Sequence, residues 1–290
     1  MACPFLREVR VKYCRAATVR KLIPLAQGAA EVRCASADHV SCKVFQLEPV
    51  TEGAGGACPH LSESLMQYCG AAPVAKLVPY SEPSLSRCGG ESFRYCELYQ
   101  AMAHPLTAEA AEGIAVPDGL RYSANHMWLD VTDDRVCHAG IDAFLARALG
   151  KIDGLDFVWQ TGRRRPAAVL TVAGMDLEVV FPNPLLLTSC NLHLRANPSR
   201  LAADPYTGGW LFEGTALPDT VEGLREGFGA RAWMEQEQGR MNEFLQQQMS
   251  PRRACDGGLF AAGLPQRLDR AQWLACFHEF FMPDRIGKEE

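Results

Sequence analysis

Eight of the chain's twelve cysteines fall in its first hundred residues, at spacings that repeat. Cys3, Cys14, Cys34 and Cys42 follow C-x10-C-x19-C-x7-C, and Cys58, Cys69, Cys88 and Cys96 follow C-x10-C-x18-C-x7-C. Thiolates are soft ligands, and four of them set tetrahedrally select zinc or an iron–sulfur cluster. All eight are therefore read as metal ligands, holding one iron–sulfur cluster per four-cysteine module, with zinc as the alternative. Neither copy carries the C-x2-C pair of zinc knuckles and ferredoxin-type runs. The Cys-Pro step that opens each copy also occurs at the end of the bacterial ferredoxin run, and it tips the reading toward iron–sulfur. Buried thiols without metal, or disulfides in an oxidising compartment, are the remaining readings. His39 and His60 stand near cysteines, but neither has a histidine counterpart in the other copy, so neither is counted as a ligand.

The chain around these cysteines must hold them in place, and it too is duplicated. Pro4 matches Pro59, Leu6 matches Leu61, Tyr13 matches Tyr68, Lys21 matches Lys76 and Pro24 matches Pro79. The modules are placed at residues 1–50 and 51–104. Units this short are near the lower size at which a chain folds without a staple. A metal bound only by the folded form supplies that staple, because its binding energy becomes folding energy. Arg7, Arg10, Lys12, Arg15, Arg20 and Lys21 make the first copy basic, while the second copy lacks most of these charges, so they read as a solvated face.

For the whole chain, a net charge of −5 and a pI near 5.9 supply no field that would draw it to nucleic acid or anionic lipid. No run approaches the roughly 18 apolar residues of a membrane span, and the N-terminus lacks a basic region followed by an apolar one. A cytoplasmic, reducing location is expected, which favours metal over disulfides. No G-x-G-x-x-G, P-loop, G-x-S-x-G or H-E-x-x-H signature occurs, so no catalytic residue is assigned. The chain reads as an accessory or electron-transfer protein whose partner is a redox enzyme or complex.

Residues 118–216 change character. Ile141, Phe144, Leu145, Ala148 and Leu149 form one helical stripe between Asp142 and Gly150. Val169–Val172 and Leu177–Phe181 then read as two strands around the turn residues Ala173, Gly174, Met175 and Asp176. Several segments in this stretch carry a family likeness. Tyr122-Ser-Ala-Asn-His126-Met-Trp128, Ala139-Gly140-Ile141-Asp142-Ala-Phe144, Leu149-Gly150 and Asp204-Pro205-Tyr206-x2-Gly209-Trp210-Leu211 occur in that order. With these segments, about a third of the chain resembles the glycine cleavage system H protein, a lipoyl carrier of the biotinyl/lipoyl hammerhead fold. The resemblance implies a lipoyl lysine at the hairpin tip, because a swinging arm needs an exposed amine on a stiff turn. This sequence has Ala173 to Asp176 there, and no lysine between Lys151 and Lys288. No lipoate is therefore expected, and what the resemblance leaves is docking to a protein partner without cargo.

Residues 219–290 read as a helical extension. Leu224, Phe228, Trp233, Met234, Met241, Phe244, Leu245 and Met249 recur at three- and four-residue intervals before Pro251. Asp256, Gly257 and Gly258 mark a turn, and Asp269 caps a second helix through Trp273, Phe277, Phe280 and Phe281 that ends before Pro283. Its aromatics are expected to pack within their own domain. The expected fold is α+β, with metal-stapled cysteine repeats, a β-rich hammerhead domain and C-terminal helices.

Overall fold

The computed structural model describes residues 1–17, 21–23, 33–47, 56–72, 76–78, 87–103, 113–158, 163–248, 255–256 and 259–282. Expectations that fell on Arg20, Pro24, Pro79, Met249, Pro251, Gly257, Gly258 and Pro283 lie outside these residues. The chain divides into two compact units, Met1–Phe93 and Arg94–Glu290.

The first unit is built on β1 (Leu6–Cys14), β2 (Lys21–Ile23), β3 (Leu61–Cys69) and β4 (Lys76–Val78), in the order β2-β1-β3-β4. β1 and β3 come from equivalent positions of the two copies and pair antiparallel along their whole length, from Leu6↔Cys69 to Cys14↔Leu61. Arg10 pairs with Leu65, its own equivalent, so an approximate twofold axis passes through that pair. β2 adds to β1 through Cys14↔Lys21 and β4 adds to β3 through Cys69↔Lys76, the same register twice. In the first copy the third cysteine lies in a 3-10 turn, Arg33–Ala35. The fourth follows another, Ala37–Ser41, and precedes the short α1 (Lys43–Leu47). Ser36 caps the second turn, its hydroxyl accepting the Asp38 N–H at 3.3 Å.

Among the described residues of this unit little apolar surface is buried. Among its described residues only Cys58 and Phe93 are buried apolar side chains, and the cluster that forms the core of the molecule contains no residue before Tyr95. At roughly 25 cal/mol per Å² of apolar surface removed from water, two such side chains supply far less than the conformational entropy lost by the segments they join.

The second unit opens with α2 (Glu97–Ala103) and continues with β5 (Arg121–Tyr122), β6 (Met127–Val131), β7 (Val136–Ile141) and α3 (Ala143–Leu149). Next come β8 (Gly154–Val158), β9 (Arg163–Arg164), β10 (Ala167–Val172), β11 (Met175–Val180) and β12 (Leu185–Cys190). Two short helices, α4 (His193–Ala196) and α5 (Ser199–Ala203), lead to β13 (Trp210–Thr215) and β14 (Arg225–Glu226). The chain ends in α6 (Gly227–Gln248), β15 (Cys255–Asp256), β16 (Leu259–Phe260) and α7 (Arg270–Phe281). A seven-stranded sheet has the order β14-β5-β6-β7-β13-β12-β9, and a three-stranded sheet has the order β11-β10-β8.

The predicted α3 forms where expected. Asp142 accepts the Leu145 N–H at 2.9 Å as N-cap, Phe144, Leu145, Ala148 and Leu149 are buried, and Gly150 ends the helix at φ +66°. α7 starts on the expected Asp269, in a capping box with Gln272. Its Trp273, Phe277, Phe280 and Phe281 are all buried in the same cluster as Trp128 and Phe144. On α6 the stripe of Ala230, Trp233, Met234, Met241 and Leu245 faces that core, but Phe228, expected on it, is 85% exposed. It sits one residue inside the helix start, and at 3.6 residues per turn it lies roughly 120–140° from both Trp233 and Met234, nearly on the opposite face. Among the described residues no helix is long and apolar enough to cross a membrane.

Candidate functional site

The antiparallel pairing of β1 and β3 decides which cysteines meet. Cys14 ends β1 opposite Leu61, and Leu61 donates its N–H to the Cys58 carbonyl at 2.9 Å. Cys58 in turn donates its own N–H to the Cys34 carbonyl at 2.8 Å. Cys42 closes the next 3-10 turn through its N–H to the His39 carbonyl at 2.9 Å. The thiols of Cys58, Cys42 and Cys14 all act electrostatically on Cys34. Burial first, and then those three thiols, raise the Cys34 thiol above its usual pKa, against a smaller pull from Arg33. The donor set is thus soft, close-grouped and drawn from three segments, which suits a thiophilic cation. Among the described residues, however, no three His, Cys, Asp or Glu side chains close around a point that would hold a metal ion.

The other end of the sheet repeats the pattern. Leu6 lies opposite Cys69 and donates to the Cys3 carbonyl at 3.0 Å, and Cys3 donates to the Cys88 carbonyl at 2.9 Å. Cys96 falls in the second unit, where its carbonyl accepts from Gln100 at 2.9 Å ahead of α2, much as Cys42 accepts from Gln46 at 3.0 Å ahead of α1. The two nearby histidines are otherwise engaged. His39 Nδ1 bonds the Ser36 carbonyl at 2.8 Å, and both His39 and His60 pack edge-on against Phe45.

The expected hairpin is present and tighter than its sequence suggested. β10 and β11 pair out to Val172↔Met175, so the loop is only Ala173 and Gly174, at φ +50° and +73°. Two positive φ values are the signature of a type I′ turn, whose twist matches the strands it joins. Met175, read from sequence as a turn residue, is the first residue of β11 and points inward with Leu177 and Val179. Sequence order alone missed a lysine beside this tip. Lys151 Nζ lies 2.9 Å from one Asp153 carboxylate oxygen, and the other accepts the Ala173 N–H at 3.2 Å. Lys151 is 80% exposed, and its hydrogen bond to Asp153 raises its pKa.

The segments that carry the family likeness serve the fold. The Trp128 indole N–H donates to the Pro205 carbonyl at 3.0 Å, and a Cβ on Gly140 would stand 2.9 Å from that indole. The Asp204 carboxylate accepts the Gly208 N–H at 2.7 Å, and the Tyr206 hydroxyl accepts the Ala143 N–H at 3.0 Å, tying that turn to α3. His126 is fully buried at φ +62°, stacked on Phe144 with ring centroids 4.0 Å apart. Its Nδ1 lies 2.9 Å from Asp142 and its Nε2 lies 3.7 Å from Glu237 on α6. Arg240, 47% exposed, donates to both oxygens of Glu237 at 2.7 and 2.8 Å, so the cluster ties α3 and α6 to the sheet and reaches the surface through that pair.

No family model matches the chain. The crystal structure of a glycine cleavage system H protein from Mycobacterium marinum is similar at 22% identity and a TM-score of 0.35, covering 42% of this chain and 98% of that one. Among curated proteins, the glycine cleavage system H protein of Salinibacter ruber is 32% identical over 131 residues, 41% of this chain and 96% of that protein. That of Micrococcus luteus is 31% identical over 121 residues, 40% of this chain and 94% of that protein. Nearly the full length of both relatives is therefore contained within this longer chain, which belongs to the glycine cleavage system H protein family.

Proposed function

We propose that this protein is a non-catalytic docking subunit, in which an H-protein-like domain without lipoate binds a partner while the N-terminal thiols carry metal. The observation that carries the docking half is the two-residue turn Ala173–Gly174 at the hairpin where the family resemblance puts the acylated lysine. The fold survives there while the acceptor amine is gone. Lys151 does not replace it in register, and its tie to Asp153 keeps its amine protonated, the opposite of what an acyl acceptor needs. The partner is a redox enzyme or complex, met in the cytoplasm.

The metal half is supported by the thin core of the first unit and by the grouping of thiols around Cys34. A unit with only two buried apolar side chains among its described residues gains from another source of stability, and thiolate ligation would supply it. Iron–sulfur clusters are the first reading, and zinc in the same ligands is the second. Anaerobic purification followed by absorbance and metal analysis separates these readings. Visible charge-transfer bands with iron support the first, a colourless protein with zinc supports the second, and neither metal in any preparation refutes both. For the docking half, the chain is incubated with a lipoate–protein ligase and lipoate, and its intact mass is measured. No lipoyl increment is expected. An increment that disappears in Lys151→Arg would locate the acyl group beside the hairpin and overturn the cargo-free reading.

A further inference from the structure

Resting on the reading of the N-terminal thiols as metal ligands, we propose that the two copies exchange their opening cysteines. On binding, Cys14, Cys34 and Cys42 of the first copy and Cys58 of the second, which do not close around a point in this structure, would gather into one tetrathiolate site. Spacing along the chain invites the opposite assignment, in which each copy closes on its own four cysteines. Strand pairing decides against that. β1 and β3 are equivalent strands running antiparallel, so the cysteine that precedes each strand lies beside the cysteine that ends the other. Cys58 is therefore next to Cys14, and Cys3 is next to Cys69. Two matching backbone bonds seal the exchange, from Cys58 N–H to Cys34 and from Cys3 N–H to Cys88, at 2.8 and 2.9 Å. Each opening cysteine thus touches the third cysteine of the other copy.

The within-copy alternative asks Cys3 to reach Cys14. These residues flank opposite ends of a nine-residue strand, a separation of about 27 Å at about 3.4 Å per residue, which no pair of metal–sulfur bonds can bridge. The same length keeps the two sites independent. The ligand is a thiophilic metal centre, an iron–sulfur cluster or a single zinc or iron ion. Binding of a single ion replaces up to four S–H protons with four metal–sulfur bonds and releases those protons to solvent, with no change of oxidation state.

Cobalt(II) added to the full-length chain under anaerobic reducing conditions is the probe, read by its thiolate charge-transfer absorbance and by metal per chain. The wild type is expected to take up two cobalt ions. Cys34→Ser with Cys58→Ser should lose one ion, the same as Cys34→Ser alone, because both ligands serve one site. Cys34→Ser with Cys3→Ser should lose both. The reverse pattern would overturn the exchange while leaving the metal reading intact, and a wild type that binds no cobalt would overturn the metal reading itself. A measurement that needs no variant guards against misfolding. Diamide takes two electrons and two protons from each thiol pair it oxidises, and peptide mapping then identifies the disulfides formed in the metal-free chain. Disulfides of Cys58 with Cys34 or Cys14, and of Cys3 with Cys88 or Cys69, are expected. A dominant Cys3–Cys14 disulfide would refute the exchange.

Discussion

Replacing Asp142 tests whether the buried cluster holds the second unit together. Its carboxylate, fully buried, does two things at once: it caps α3 through the Leu145 N–H and it pairs with His126 at 2.9 Å. Loss of an N-cap costs about 1 kcal/mol. Removing one member of a buried pair costs about 3–5 kcal/mol, and here it leaves His126 with only the more distant Glu237, at 3.7 Å, as a carboxylate partner. Asp142→Ala should therefore destabilise by roughly 4–6 kcal/mol, a large part of the about 5–15 kcal/mol available to a folded domain. Asp142→Asn keeps the cap and loses only the charge, so it should recover about 1 kcal/mol of that loss. All five tryptophans lie beyond residue 93, so urea unfolding followed by tryptophan fluorescence reads this unit alone. Burial pulls the His126 pKa down, but Asp142 and then Glu237 outweigh it, and the net direction is up from 6.5. The folded state therefore holds a proton more tightly than the unfolded one. Stability from this group is full below pH 6.5 and is lost as pH rises through the folded value. Wild-type stability should fall as pH rises above 6.5, and the fall should weaken in both variants. A cost below about 1 kcal/mol for Asp142→Ala, where the cap alone should cost that much, would refute the assignment, as would a wild-type stability that rises over that range.

Two glycines at similar φ should behave differently. A Cβ on Gly174 meets nothing within 4 Å, so Gly174→Ala should cost only the left-handed backbone penalty of roughly 1–2 kcal/mol. A Cβ on Gly150 would stand 2.6 Å from the Gly263 Cα, and backbone on both sides would have to move, so Gly150→Ala should cost clearly more. Equal unfolding midpoints for the two variants would argue against that close approach. The thiols should also sort by burial, which pushes Cys137 up to about 12, Cys190 to about 11 and Cys276 to about 12. Since the thiolate is the reactive form, a disulfide-exchange reagent at pH 8 should leave these three unmodified in the native protein. Peptide mapping that found Cys276 labelled as fast as Cys14 would contradict this.

The parts legible in the sequence were those set by local signals. Asp142 followed by a periodic apolar run and Gly150 specifies a helix with both ends marked, and that helix forms between those two residues. Asp269 three residues before Gln272 does the same for α7. The runs Val169–Val172 and Leu177–Phe181 around four turn residues foretold the hairpin, but not its two-residue loop. Ala173 at positive φ carries no signal, unlike the Asn-Gly that marks most such turns. The buried pair of His126 with Asp142, 16 residues away, and the arrival of Glu237 from 111 residues downstream were invisible for a different reason. They depend on how elements pack, and neither periodicity nor spacing encodes a meeting of that kind. Lys151 illustrates the same gap: it precedes the hairpin by more than twenty residues, yet the pairing of β8 with β10 brings its Asp153 partner to the tip.

The cysteine ligand set lies between these extremes. Spacing groups eight thiols into two sets of four, but it gives order along the chain and not distance in space, so it leaves open whether each copy closes on itself. Duplication carries the missing information. When two copies of one strand pair antiparallel about a twofold axis, whatever precedes the strand in one copy must stand beside whatever follows it in the other. A parallel pairing would have set each cysteine beside its own equivalent, Cys3 by Cys58 and Cys14 by Cys69, but parallel strands require a long crossover and are usually covered on both faces. Here the faces are poorly covered, with Val9 and Leu65 both more than a third exposed. Two short, thinly cored copies therefore favour the antiparallel arrangement. Exchange of the opening cysteine is its direct geometric consequence, and it makes each cation a crosslink between the two copies instead of a staple within one.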